Sequence, residues 1–247
     1  MNAVPYLSVS IVSHGQGALV ASLLSDLCLP GWHGNYKFEV IVTLNIPEAE
    51  DWLVGPFPFP VTVLKNERPR GFGANHNRAF AAAAGETFAV VNPDIRLVDF
   101  RIEPLIAALR AGTAGACGPL VLAPGGTLED SARRWPTVAR LVRSRLRRGT
   151  GIDYVQANEP LTVDWIAGMF MLFTATAYRA VGGFDERYFM YYEDVDICRR
   201  MWRSGREVLW VGSTALVHDA SRASRRNLRH LRWHVSSLLR FLADRAR

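Results

Sequence analysis

Cysteine is scarce in this 247-residue chain, and Cys28, Cys117 and Cys198 lie far apart with no Cys-x-x-Cys spacing. That excludes a disulfide framework and a zinc module, and the three read as small buried apolar residues in a reducing compartment. Lysine is scarce too: it occurs only at Lys37 and Lys65, and no glycine-rich loop carries the phosphate-binding lysine of a P-loop. No apolar run approaches the roughly 20 residues needed to cross a bilayer. The N-terminus lacks the charged-then-apolar pattern of a secretion signal, so a cytoplasmic location is expected. There is no solenoid-period repeat, and no spacing of a known nucleic-acid module.

What is present supports a full core, because 49% of residues are hydrophobic and only 21% are charged. The net charge of +6 is carried almost wholly by arginine. One cluster comprises Arg133, Arg134, Arg140, Arg143, Arg145, Arg147 and Arg148; another comprises Arg222, Arg225, Arg226, Arg229, Arg232, Arg240, Arg245 and Arg247. Such clusters suit phosphate-rich partners: a nucleotide, a nucleic acid or an anionic membrane face. A merely solvated basic face is the plainer alternative. Near the C-terminus Leu228, Leu231, Val235, Leu238 and Leu242 recur at three- and four-residue spacing. That seam predicts an amphipathic helix that packs on the domain, pairs two copies or lies on a membrane.

The order of elements argues for an α/β fold. Strands are expected at Leu7–Val12, Phe38–Leu44, Val61–Leu64 and Thr87–Val91, with helices over Ala18–Cys28 and Asn75–Ala84. Such alternation implies a mostly parallel sheet covered by helices, with ligands at the carboxyl ends of its strands. Further on, a helix is expected at Ile102–Leu109, and strands at Ala116–Leu122, Trp165–Phe173 and Val208–Val211. Residues Pro124–Asn158 read as a long surface excursion, helical from Val138 to Arg147.

Chemistry concentrates at a few places. Glu193 and Asp194 follow the aromatics Tyr188, Phe189, Tyr191 and Tyr192, where a general base would be shielded from water. The helix after them turns Val195, Cys198 and Trp202 to one side and Arg199, Arg200 and Arg203 to the other. On the plainer reading Asp194 is its N-cap. Asn92-Pro93-Asp94 follows a strand directly, where a carboxylate meets the ligand crevice and can hold a phosphate-bridging divalent cation, or simply form a turn. His218 ends the Leu209–Val217 segment and becomes a metal ligand if its strand end meets that of Asp94. Arg222 and Ser224 can pair with diphosphate oxygens. Gly71-Phe72-Gly73 opens a helix as a phosphate cradle would, or permits close helix packing.

In sequence order, the chain reads Val12-Ser13-His14, Asn45, Gly71-Phe72-Gly73-Ala74 with Asn77, and Asn92-Pro93-Asp94. Trp165-Ile166-Ala167-Gly168, Gly182-Gly183-Phe184-Asp185-Glu186, Tyr192-Glu193-Asp194-Val195-Asp196 with Arg199, and Val217-His218 follow. In this series the chain resembles the family 2 inverting glycosyltransferases, and most closely their bacterial rhamnosyltransferase-like branch. The stretch from Gly182 to Arg199 is the most specific part. The resemblance implies a GT-A fold, with a catalytic domain over residues 1–220 and a basic amphipathic helix over 221–247. Residues 1–115 would bind the nucleotide-sugar and 116–220 the acceptor.

By position, the resemblance implies Asp94 and His218 as ligands of Mg2+ or Mn2+, and Asp194, beside Glu193, as general base. Ser13, His14 and Asn45 would meet the nucleoside, with Gly71, Phe72, Gly73, Asn77, Asn92 and Arg222 completing the donor site. Trp165, Ala167, Gly168 and Tyr192 would wall the acceptor. Two positions depart from the pattern. Leu44 stands where the family commonly has a base-reading aspartate, and Ser13-His14-Gly15 replaces a Thr-Tyr-Asn-like ending. Base recognition is therefore expected to be made differently.

The implied partners are a nucleotide-diphospho-sugar, with dTDP-L-rhamnose first and UDP-hexoses next, and a glycan or polyprenyl-linked acceptor at the inner membrane face. A homodimer through the C-terminal helix is the other expected partner. A catalytically silent sugar-nucleotide-binding module would bind donor without transfer, and a nucleic-acid binder would show steeply salt-dependent affinity.

Overall fold

The computed structural model describes residues 6–137, 140, 152–219 and 228–244. In chain order the strands are β1 (Leu7–Ser13), β2 (Phe38–Leu44), β3 (Val61–Lys65), β4 (Thr87–Val91), β5 (Ile95–Arg96) and β6 (Ala114–Leu122). They continue as β7 (Ala132–Arg133), β8 (Leu161–Thr162), β9 (Trp165–Ile166), β10 (Phe170–Thr174) and β11 (Glu207–His218). The helices are α1 (Gly17–Cys28), α2 (Phe72–Ala82), α3 (Glu103–Arg110), α4 (Ala175–Ala180), α5 (Glu193–Arg203) and α6 (Leu228–Asp244).

One sheet dominates, in the order β3-β2-β1-β4-β10-β6-β11-β5, with β8 on the side of β11. The first four strands are parallel; β2 and β4 are apolar runs buried on both faces, β1 alternates apolar residues with buried serines, and the edge strand β3 stays partly exposed. Alternate side chains feed two apolar clusters. Val9, Ile11, Ala89 and Val91 meet α1 and α3 on one face; Ile41, Phe88 and Val90 meet the aromatic side on the other. There Tyr178 packs 5.1 Å from Phe88, 5.1 Å from Phe173 and 5.8 Å from Phe184. Each such ring, fully buried, contributes about 1.5–3 kcal/mol over exposure, and together they fix the loop that leads into α5.

Several expectations are corrected. The sheet is mixed, because β10 runs antiparallel to both β4 and β6. The expected strand Trp165–Phe173 is two: β9 pairs with β7, the chain turns at Ala167–Met169, and β10 then enters the sheet. The strand expected at Val208–Val211 runs on to His218 after a register shift between Val211 and Ala215. Cys28 is exposed. Arg199 does not face solvent: it is 9% exposed, pairs with Asp196 at 2.8 Å and stacks 4.3 Å from the Phe241 ring centre. Asp194 is not the cap of α5, which is Tyr192. The helix expected at Val138–Arg147 lies outside the described residues, apart from Arg140, as does Arg222.

α6 forms, but rotated from the leucine seam. Ser237 and Phe241 are its buried residues, at 4% and 2% exposure, while Leu231 and Val235 stand out at 58% and 43%. Leu238 and Leu242 are partly buried against the aromatic cluster. Ser237 Oγ donates to the Met190 carbonyl at 2.9 Å, and the Trp233 and Phe189 rings lie 4.8 Å apart.

Candidate functional site

Parallel pairing lines up the carboxyl ends of β1, β2 and β4, since Ser13 sits opposite Leu44 and Ile11 opposite Val91. The residues that follow, His14, Asn45 and Asn92, therefore open onto one cleft of about 1300 Å³. Asn45 anchors this edge. Its amide donates to the Arg70 carbonyl at 3.1 Å and lies 3.2 Å from His14 Nδ1, while its oxygen accepts from Asn66 at 3.0 Å and from the Arg70 amide at 2.8 Å. Asn66 passes the chain of bonds to Asn75 at 2.7 Å, so the turn before α2 is held from both sides. Arg70 thereby enters the cleft wall.

β5 pairs antiparallel with β11, Ile95 opposite His218, and this brings Asp94 against the histidine. His218 Nε2 lies 3.3 Å from Asp94 Oδ2, and its Nδ1 lies 2.7 Å from Glu129 Oε2. Burial opposes the charged imidazole, but hydrogen bonds to Asp94 and Glu129 prevail and raise its pKa to about 9. Asp94 Oδ1 is buried without a hydrogen-bond partner among the described residues. These residues fit a hard divalent cation that would take the place of the Nε2 proton. Asp94 Oδ2 and His218 Nε2 lie close enough to share one ion, and Glu129 would fix the histidine tautomer from behind. Among the described residues no three His, Cys, Asp or Glu side chains converge as a cage, so phosphate oxygens and water would complete the shell.

Across the cleft, Tyr191 and Tyr192 both adopt left-handed φ, 73° and 68°, which non-glycine residues seldom do. This turn delivers Glu193 and Asp194 at the first turn of α5. Asp194 Oδ2 accepts from the Gly168 amide at 3.0 Å and Oδ1 from the Val195 amide at 2.8 Å. Burial raises its pKa, opposed by those two amides and by Arg133. Glu193 is buried further, its Oε2 unpartnered among the described residues; desolvation, then the charge of Asp194, pushes it well above the usual carboxylate range. Burial thus favours the neutral form of both carboxyls, more so for Glu193.

The Glu193 shift has a consequence for stability. Its folded pKa lies above the unfolded value, so stability falls as pH rises from the ordinary range near 4.5 through that raised value. Glu193→Gln is therefore expected to raise the melting temperature at neutral pH and flatten that decline, in thermal melts taken across pH.

Of the residues singled out from sequence, His14, Asn45, Phe72, Asn92, Asp94, Trp165, Ala167, Gly168, Tyr192, Glu193 and Asp194 line this cleft. His218 stands behind Asp94. Four others lie outside the lining. Ser13 is buried and its hydroxyl accepts from the Gln16 amide at 3.1 Å. Asn77 ties α2 to the loop before α5: its amide donates to the Phe184 carbonyl at 2.8 Å, and its oxygen accepts from the Phe184 amide at 2.9 Å and from Tyr178 at 2.7 Å. Gly71 and Gly73 permit close approach, since a Cβ would stand 2.7 Å from the Phe189 carbonyl oxygen and 2.5 Å from Phe184 Cβ.

Sequence reasoning missed Glu129, Arg70 and the α6 residues His230, Trp233 and His234, and named Arg133 only within an arginine cluster; all of them line the cleft. Tyr191 Oη lies 2.8 Å from His230 Nδ1, so α6 is tied to the same turn that carries the carboxylates.

Known proteins share this chain's sequence pattern and its fold. Residues 13–174 match the family model described as glycosyl transferase family 2. The chain is 36% identical over 210 residues to the N-acetylglucosaminyl-diphospho-decaprenol L-rhamnosyltransferase of Mycobacterium tuberculosis, covering 75% of this chain and 67% of that one. It is 30% identical over 187 residues to the rhamnosyltransferase WbbL of Escherichia coli, covering 70% of each. Among solved structures, GalNAc-T7 with UDP, GalNAc and Mn2+ superposes with a TM-score of 0.65 at 18% identity, over 91% of this chain and 45% of that one. The mannosyltransferase PcManGT of Pyrobaculum calidifontis, with GDP-Man and Mn2+, gives 0.64 at 16% identity, over 97% and 65%. These two share the GT-A type of fold. On its cleft, its sheet and these matches, the chain belongs to glycosyl transferase family 2.

Proposed function

We propose that the protein is an inverting, divalent-metal-dependent glycosyltransferase of cell-surface polysaccharide synthesis. Its donor is dTDP-L-rhamnose, ahead of UDP-hexoses, and its acceptor a polyprenyl-diphosphate-linked glycan beginning with N-acetylglucosamine. The names of both curated relatives support the sugar, and that of the mycobacterial one the lipid-linked acceptor. The observation that carries the mechanism is the shared cleft, with Asp94 on the sheet edge and Asp194 at the start of α5.

Asp94 and His218 would hold Mg2+ or Mn2+, which supplies neutralising charge for a departing diphosphate. Asp194 accepts the proton of the acceptor hydroxyl as that oxygen attacks the anomeric carbon from the face opposite the diphosphate. The Gly168 and Val195 amides hold its two oxygens in place. Burial favours the neutral form of Glu193, which would spare Asp194 a second negative charge beside it. The aromatic wall of Phe189, Tyr191 and Trp233 excludes water from the attacking oxygen. One displacement needs no enzyme nucleophile and inverts the sugar.

Incubating the protein with dTDP-L-rhamnose, Mg2+ and a short-chain polyprenyl-diphospho-N-acetylglucosamine is expected to give one product. Its anomeric configuration, read from the one-bond C1–H1 coupling, should be opposite to the donor's. A retained configuration, or donor binding with neither transfer nor hydrolysis, would refute the reading.

A further inference from the structure

We propose that the outer face of α6 docks on an anionic lipid bilayer and so sets the mouth of the cleft at the headgroup level. This rests on the lipid-linked acceptor proposed above. α6 has two different sides. Ser237 and Phe241 are buried against the domain, and His230 and Trp233 turn into the cleft. On the outer side Leu231, Val235 and Leu239 recur every fourth residue, exposed to 58%, 43% and 62%. At 100° per residue they form one narrow stripe, with the exposed Arg232 at its edge and the exposed Arg240 on the flank nearer the domain, its guanidinium 5.9 Å from the Tyr188 ring centre.

An apolar stripe edged by arginines is the pattern of a helix lying in a membrane interface, aliphatic side chains among acyl chains and guanidinium groups among anionic headgroups. Among the described residues no helix is long and apolar enough to cross a bilayer, so α6 would lie along the surface.

A second copy of the chain is a poorer occupant. A two-fold contact would set this arginine edge against its own equivalent, with no acidic residue on the exposed face between 231 and 243 to offset it. Three aliphatic side chains also cover far less than the roughly 800 Å² per partner of a stable interface. A bilayer meets both the apolar and the cationic groups, and the neighbouring face of the same helix already borders the cavity where the lipid's sugar would enter.

The test is cosedimentation of the full chain with phosphatidylglycerol/phosphatidylcholine vesicles against phosphatidylcholine alone. Wild type is expected to sediment with the anionic vesicles, less so as salt rises. Leu231→Ser/Val235→Ser/Leu239→Ser should lose at least about tenfold in partitioning. Arg232→Gln/Arg240→Gln should lose roughly fivefold per charge. Both variants should keep wild-type transfer to a water-soluble acceptor lacking the polyprenyl chain, which also reports intact folding. Equal partitioning of wild type onto neutral vesicles, or a serine variant that sediments like wild type, would overturn the proposal. So would light scattering that shows a wild-type dimer turned monomeric by the serine changes. The wild-type comparison stands even if a variant misfolds. Failure of wild type to act on the soluble acceptor would instead count against the catalytic reading, leaving the docking result legible.

Discussion

Asp194→Asn is expected to lower kcat by about a hundred- to ten-thousand-fold while leaving donor affinity and the melting curve close to wild type. Asparagine has the same outline and can still accept the Gly168 amide, so the α5 turn keeps one of its two anchors. What it lacks is a site for the acceptor's proton. The size of the loss follows from position, because the carboxylate is held by two amides, lies in the cleft, and has a pKa raised by burial toward the working range of a base. The rate should also fall on acidification, as the coupled pair takes up its second proton above the pH of ordinary carboxylates. Single-turnover kinetics with saturating donor, across pH, would read both effects. Wild-type turnover in a folded Asp194→Asn protein would remove the residue from the mechanism.

Asp94→Asn is expected to cost at least about a hundred- to thousand-fold, by a different route. Removing this charge weakens the hold on the cation and hence on the charge that grows on the leaving diphosphate. The distinguishing readout is binding. Mn2+ with dTDP should raise the melting temperature of wild type, since a ligand specific to the folded state stabilises it, and should do so far less for the variant. The ion pair of Asp94 Oδ2 with His218 is lost, but folding should survive, because asparagine keeps the outline and an oxygen for that contact and Oδ1 has no hydrogen-bond partner to lose among the described residues. An unchanged Mn2+-dependent shift would place the cation elsewhere.

Much of this architecture was legible in the sequence where one local signal suffices. Phe38–Leu44 and Thr87–Val91 are rich in β-branched and aromatic residues, and they form strands with those bounds. Asp94 and His218 could be paired because one follows a strand and the other closes one, and strand ends are where such sheets gather ligands. What stayed hidden depends on tertiary contact. Arg199 looked solvent-facing by helical spacing, yet Asp196 and the face of Phe241, distant in sequence, make its burial tolerable. The leucine seam of α6 had the right period and the wrong phase, because the core claims Ser237 and Phe241 and the cleft claims His230, Trp233 and His234. Asn77 sits in a phosphate-loop-like motif, but its side chain is engaged by Phe184 and Tyr178 about a hundred residues further on. Glu129 falls within an irregular excursion with no periodic pattern; an acidic pair, Glu129-Asp130, close before a run of arginines was its only signal.

The most direct measurement is anomalous diffraction from crystals grown with Mn2+ and dTDP. The expected result is one manganese peak within coordination distance of the Asp94 carboxylate and His218 Nε2, with the diphosphate on it and Asp194 facing the open end of the same cavity. A peak bound by other side chains, or a nucleotide seated away from the ends of β1, β2 and β4, would contradict the account.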